Sequence, residues 1–144
     1  MLASNYYIVP ARMDYLSTLG INHLKNDIEE FLRKCEEYRE ALDDWKYKPA
    51  SLEMLGIVPM MVTLFKDSDT PELISAQKEI MTQLKNDGHY IFTSVRNNGT
   101  IFGKAPTDGK PAVLLNPKFY QQSARRIVEE LKRLGEEFLQ RAEV

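Results

Sequence analysis

The segment that most restricts the fold is Leu52-Glu53-Met54-Leu55-Gly56-Ile57-Val58-Pro59-Met60-Met61-Val62, a nearly unbroken apolar run. A strand with one wet face alternates apolar and polar residues. A run apolar at both parities has to be covered on both faces, which is the environment of a central strand in a parallel sheet. Pro59 has no N–H to give to a ladder, so the regular strand is expected to end or bulge there. The most apolar window, residues 55–65, is 11 residues long and contains that proline. A membrane-spanning helix needs about 20 apolar residues, so no span is expected.

Parallel neighbours require crossover connections, and the flanking sequence supplies them. Tyr6-Tyr7-Ile8-Val9 is a β-favouring run that predicts a short strand, buried on both faces and closed by a turn at Pro10. From Leu16 onward Leu19, Ile21, Leu24, Ile28, Phe31, Cys35, Tyr38, Leu42 and Trp45 recur at steps of two to four. That stripe predicts one helix of about seven turns. A linker around Lys48-Pro49 then leads into the apolar strand.

A second helix is expected from Pro71 to Lys85, with Thr70 as its cap, Glu72 in its first turn and Asn86-Asp87-Gly88 as its stop. His89 to Val95 is the third strand candidate, followed by the loop Arg96-Asn97-Asn98-Gly99-Thr100. Pro111-Ala112-Val113-Leu114-Leu115 reads as a last short strand or extended segment. Asn116-Pro117 opens a final helix whose inward stripe is Tyr120, Ala124, Ile127, Leu131, Leu134 and Phe138. The order predicts an α/β fold with three to four mainly parallel strands alternating with three helices, which lie on one or both sheet faces. So small a parallel sheet needs more cover than the chain provides, and residues 1–144 are expected to form a single incomplete α/β domain.

Charge and cysteine usage narrow the function classes. The 144 residues carry 19 Lys and Arg against 21 Asp and Glu, so the net charge of -2 draws the chain to no phosphate backbone or anionic membrane as a whole. Any nucleic-acid contact has to come from a local patch. Cys35 is the single cysteine. It rules out an internal disulfide framework or a multi-cysteine metal site, and a reducing, cytoplasmic setting is expected.

The individual chemistry-bearing residues read mostly as structure. Gly103-Lys104-Ala105-Pro106-Thr107-Asp108-Gly109-Lys110-Pro111 resembles a phosphate loop only superficially: five residues separate its glycines, and Pro111 follows the lysine where a magnesium-binding hydroxyl is needed. His23 and His89 are not at metal-ligand spacing. Cys35 lies on the apolar helix stripe and reads as a small hydrophobe. Glu29, Glu30, Glu36, Glu37, Asp43 and Asp44 interleave with Lys and Arg, the pattern of a solvated helix face. Arg125, Arg126, Lys132 and Arg133 form a candidate DNA strip on the last helix, with Glu129, Glu130, Glu136 and Glu137 between them at salt-bridge spacing.

Three longer pieces point to a family. They are Ser4-Asn5-Tyr6-Tyr7-Ile8-Val9-Pro10 with Asp14-Tyr15-Leu16-Ser17-Thr18-Leu19-Gly20, then Leu55-Gly56-Ile57-Val58-Pro59-Met60-Met61-Val62, then Ala105-Pro106-Thr107-Asp108-Gly109-Lys110-Pro111-Ala112-Val113-Leu114-Leu115. In this order they resemble the C-terminal half of the ParA/Soj/MinD-type partition ATPases, the P-loop proteins with a deviant Walker A motif. The first is similar to the family's Val-Pro strand followed by an acidic-aromatic pair and a helix. The second is similar to its Gly-Val-x-x-Thr-Met strand, with Met60 in place of Thr or Asn. The third is similar to its Ala-Pro-x-x-Gly-Lys-Pro connector and closing strand.

The resemblance implies part of a Rossmann-like P-loop fold. It implies nucleotide-base contacts at Met60 and Met61 and in the loop Arg96, Asn97 and Asn98, which departs from the family's Pro-Arg-Asn pattern. It places Asp14 on the nucleotide or dimer side, and it implies a DNA surface at the C-terminus. ATP and magnesium are cofactors of the parent family, but the phosphate loop and magnesium ligands lie upstream of the matched segment. This chain alone is therefore expected to hold no cofactor and to have no catalytic residue or metal ligand. Expected partners are a second copy or an N-terminal half, non-specific DNA and a ParB-like protein. Two other readings remain: a stand-alone interaction or dimerisation module on the same scaffold, and a small α/β binding domain unrelated to partition.

Overall fold

The structure, a computed structural model, describes residues 4–41, 52–65, 72–96, 109, 111, 114 and 122–142. It is mixed α/β. The strands are β1 (Tyr6–Arg12), β2 (Glu53–Val62), β3 (Leu64–Phe65), β4 (Glu72–Leu73) and β5 (Val95–Arg96), and the helices are α1 (Tyr15–Ala41), α2 (Ser75–Asn86) and α3 (Gln122–Arg141). A three-stranded sheet runs in the order β1-β2-β5, with both pairings parallel. The apolar run of residues 52–62 is its central strand, as its two-faced hydrophobicity requires.

Side chains on the two faces of β2 belong to separate cores. On one face Ile57 and Val62 pack with Val9 and Met13, Ile21 of α1 and Leu84 of α2. On the other Leu55 and Val58 pack with Phe92, Val95 and Ala142, covered by Leu131, Leu134 and Phe138 of α3. Helices therefore lie on both faces. Ile57 is fully buried and Val58 nearly so, and burying an aliphatic side chain of this size contributes about 1.5–3 kcal/mol.

β1 continues through Pro10 to Arg12 instead of closing in a turn. It is the outer strand of the sheet as described, where a residue without an N–H is tolerated. Pro59 likewise stays inside β2, in register with Ala11. The irregularities lie on either side of it. Between Tyr7 and Ile8 the partner advances from Met54 to Gly56, leaving Leu55 as an extra residue. Between Val95 and Arg96 it advances from Met60 to Val62, leaving Met61 as a second one.

Other boundaries differ from the sequence expectation for identifiable reasons. Glu72 and Leu73 pair antiparallel with Phe65 and Leu64, so α2 begins at Ser75, and its N-cap position, Ile74, makes no side-chain capping bond. Thr70 and Pro71 lie outside the described residues. The stop of α2 is as expected. The Gly88 N–H donates to the Lys85 carbonyl at 3.0 Å and the His89 N–H to the Leu84 carbonyl at 3.0 Å, with Gly88 at φ 86°. This is a Schellman motif, which favours glycine at its left-handed position.

The third strand is shorter than predicted: Ile91 forms an isolated bridge with Ile57, and regular pairing is confined to Val95 and Arg96. Pro111 and Leu114 are joined by an i,i+3 bond of 2.9 Å, a turn contact, while Ala112, Val113 and Leu115 lie outside the described residues. The stripe of the last helix holds where it is described, with Ile127 buried and Leu131, Leu134 and Phe138 facing the sheet; Tyr120 lies outside the described residues. On α1 only Ile21 and Ile28 are buried. Phe31 and Tyr38 on the same stripe are 40% and 67% exposed, so its second half rests on little of the described fold. Leu42 and Trp45 lie outside the described residues.

Candidate functional site

In an open parallel α/β sheet, ligands bind beyond the carboxyl ends of the strands, where loops lead into the crossover helices. Here β1 ends at Arg12, β2 at Val62 and β5 at Arg96, and parallel pairing brings those ends to one edge. Asp14, Met60, Met61 and Arg96 therefore converge on the carboxyl edge although they are far apart in the chain. Asn97 and Asn98 lie outside the described residues.

Asp14 is bound into the start of α1. Its Oδ1 accepts the Ser17 N–H at 2.8 Å, and its carbonyl accepts the Thr18 N–H at 3.1 Å and the Thr18 hydroxyl at 3.0 Å. Asp at this position satisfies one of the helix's free amides. The Ser17 amide, and after it the Arg12 guanidinium, whose Nε is 3.6 Å from Oδ2, hold the carboxyl below its ordinary pKa. Asp14 thus serves the helix as a cap and Arg12 as an ion-pair partner.

The two methionines are in different situations. Met60 is half-buried and packs in the α3-side core with Leu131, Leu134 and Phe138. Met61 occupies the second bulge with φ 56° and is 48% exposed. A left-handed backbone costs a residue with a Cβ roughly 1–2 kcal/mol, and such strain persists only where the surrounding structure enforces it. It leaves a flexible, polarizable thioether free at the sheet edge.

Sequence reasoning did not single out the side chains beside Asp14. Tyr15 and Leu16, at the first turn of α1, are 72% and 77% exposed, and Leu19 one turn on is 42% exposed. Their signal was present but masked: Leu16 and Leu19 fit the apolar helix stripe by spacing, and Tyr15 was read only as the partner of Asp14 in an acidic-aromatic pair. The carboxyl edge thus offers apolar and thioether surface beside Arg12 and the capped carboxylate of Asp14. Among the described residues no group of three or more His, Cys, Asp or Glu gathers.

The α3 strip has the charge balance its sequence implies. Arg125, Arg126, Lys132 and Arg133 are exposed, and so are Glu129 and Glu136 between them. Its positive potential is therefore partly cancelled along the helix. On α1 the expected solvated face is laced by ion pairs, Lys25 with Glu29 at 3.9 Å, Lys34 with Glu30 at 2.6 Å, Arg33 with Glu37 and Arg39 with Glu36. Cys35 is half-buried on the other stripe. Among the described helices none is long and apolar enough to cross a membrane.

A second polar arrangement, unanticipated from sequence, ties α3 to the segment before β5. Glu137 accepts the Tyr90 hydroxyl at 2.5 Å and the Thr93 N–H at 2.8 Å. Burial pushes the Glu137 pKa up, but the bonds from Tyr90 and Thr93, with Arg141 nearby, outweigh it and leave the carboxyl below its ordinary range. The residues are 44 and 47 positions apart, and no local pattern signals such pairs. No protein-family model matches this chain, and a search of curated proteins gives no match.

Proposed function

We propose that this chain is the C-terminal part of a ParA-like partition ATPase with a Rossmann-like P-loop fold, acting in the cytoplasm in plasmid or chromosome segregation. In this reading its carboxyl edge supplies base contact and dimer surface. The phosphate loop, lysines and magnesium ligands belong to a separate N-terminal half. The observation that carries the proposal is the convergence of Asp14, the strained and exposed Met61 and the start of the Arg96 loop at one edge of a parallel sheet. Base contact falls to Met61 and the Arg96 loop, since Met60 is engaged in packing.

Phosphoryl transfer depends on positioning and electrostatics at the phosphates, so the chain alone hydrolyses no ATP. α3, through Arg125, Arg126, Lys132 and Arg133, is the surface for non-specific DNA, and a ParB-like protein is the expected regulator. Calorimetric titration with ATP and Mg²⁺, beside a light-scattering mass on the same sample, tests the reading. Weak binding without turnover is expected. Tight binding with turnover that is lost in Asp14→Ala would contradict it.

The exposure of Tyr15 and Leu16 at the edge, and of Phe31 and Tyr38 along α1, favours a second reading, a dimerisation module without nucleotide chemistry. A concentration-dependent dimer whose mass ignores ATP and falls to monomer in Leu16→Glu is its signature. A mass that stays monomeric across the micromolar range counts against it.

A further inference from the structure

The opposite, amino end of the sheet holds a hollow of about 220 Å³ between α1, the first bulge of β2, the turn after α2 and the end of α3. Three of its walls are Lys25, His89 and Arg141, and none of the side chains lining it is a carboxylate. We propose that this hollow binds a phosphate-class oxyanion, free or as the phosphomonoester of a small molecule. The proposal is independent of the nucleotide reading above, which concerns the other end of the strands.

The position of Arg141 is set by the fold. The Arg141 guanidinium lies 3.7 Å over the Tyr90 ring and donates through Nε to the Leu55 carbonyl at 3.1 Å. Leu55 is free to turn its carbonyl there because it is the extra residue of the bulge. The Tyr90 ring is braced in turn edge-on against Phe92, at 5.1 Å, and by its hydroxyl bond to Glu137. Stacking, the bond to Leu55 and a further interaction with the Tyr90 hydroxyl fix the guanidinium plane, and its charge is shared with Glu137; a planar fork so held suits phosphate through the N–H groups that remain.

His89 closes the Schellman turn, whose amides are spent on the Lys85 and Leu84 carbonyls, so the Gly88 and His89 N–H groups are not donors to the hollow. Lys25 is half-exposed and pairs with Glu29 at 3.9 Å. The hollow is smaller than the roughly 300–1,000 Å³ of drug-sized ligand sites, which favours a compact anion.

Three opposing effects are present and are the weaker. The exposed Glu29 carboxylate lies 3.9 Å from Lys25. Glu137 lies behind Tyr90 and its charge is already engaged by the Tyr90 hydroxyl and the Thr93 amide. α2 and α3 both end nearby, and a helix end disfavours an anion by about fivefold at an exposed site. Each charge-assisted bond from Arg or Lys favours it by about tenfold or more.

The test is a ¹⁵N NMR titration of the full chain with sodium phosphate, against sodium chloride at matched ionic strength. Saturable shifts are expected at the Gly56, Gly88, His89 and Tyr90 amides, with half-saturation in the millimolar range or below. Arg141→Gln should weaken binding about tenfold or more and Lys25→Gln by several-fold. If Arg141→Gln loses its native spectrum, Lys25→Gln, at an exposed helix position, carries the test. Tighter saturation by AMP at the same amides identifies a phosphomonoester, and equal saturation identifies free phosphate. Linear shifts matching chloride, an adventitious ion only, would overturn the proposal. So would saturable binding that neither substitution weakens.

Discussion

The two bulges of β2 solve the same geometric problem in opposite ways. At the amino end the extra residue is Leu55, and the position beside it is Gly56, at φ 151°. A Cβ on Gly56 would stand 2.6 Å from the Tyr90 carbonyl oxygen and 3.0 Å from Phe92 Cε2. Glycine there lets the Tyr90–Phe92 segment close on the strand, with the Ile57 N–H donating to the Tyr90 carbonyl at 2.8 Å and the Phe92 N–H to the Ile57 carbonyl at 2.9 Å. At the carboxyl end the bulged residue is Met61, strained and exposed. Where packing demanded a special backbone, glycine removed the conflict. At the edge where ligands of parallel sheets bind, the conflict was kept, together with a side chain that packing does not require.

Substitutions at the two ends should separate accordingly. Gly56→Ala forces backbone against backbone, and a loss of about 3 kcal/mol in urea unfolding is expected. A loss under about 0.5 kcal/mol would mean that the segment moves aside and the close approach is not needed.

Glu137→Gln comes next, at about 1–2 kcal/mol, because the Thr93 N–H and the Tyr90 hydroxyl lose their charged acceptor. Its pH dependence sharpens the assignment. The Glu137 pKa is lowered on folding, so its contribution is fully present above the ordinary glutamate range and is lost as pH falls through the lowered folded value. The stability difference between wild type and Glu137→Gln should shrink across that acidic window. A difference that stays constant with pH would assign Glu137 a packing role alone.

Met61→Gly should go the other way and raise stability by roughly 0.5–1 kcal/mol, since relief of the left-handed strain exceeds glycine's added chain entropy. A destabilised Met61→Gly would show that the side chain is needed for packing and would break the contrast between the bulges. The smallest effect belongs to Asp14→Ala, a modest fall in Tm at neutral pH. The Asp14 pKa is also lowered, first by the Ser17 amide and then by Arg12. Its contribution therefore holds above the ordinary aspartate range and disappears as pH falls through the folded value, and thermal melts of the two proteins should merge in acid.

The same contrast explains what could be seen in the sequence. The central strand, the alternation of strands with helices, the Gly88 stop and the sheet-facing stripe of the last helix follow from periodicities within a dozen residues, and they stand in the structure. Thr70-Pro71-Glu72 carried a strong helix-start pattern, yet tertiary pairing of Glu72-Leu73 with Leu64-Phe65 moved the helix to Ser75. The His89–Val95 strand was too long as read: between the Ile57–Ile91 bridge and the Met60–Val95 pair this segment advances four residues against three in β2, and its own extra residue breaks the ladder.

The candidate site was legible as a set of positions, with Asp14, Met61 and Arg96 at one edge, but not as roles. Whether Met60 or Met61 faces outward depends on a bulge that no local pattern announces. The Tyr90, Glu137 and Arg141 arrangement depends on contacts between distant segments, which no local periodicity encodes.

The most direct test of the division between the two ends is a ¹⁵N amide map of the full chain under ATP and Mg²⁺. The account predicts saturable shifts centred on Asp14, Met61 and Arg96 at the carboxyl edge, persisting when phosphate already occupies the amino-end hollow. Shifts confined to Gly88 and His89, or absent from Met61 and Arg96 at saturation, would contradict a base-contacting role for that edge.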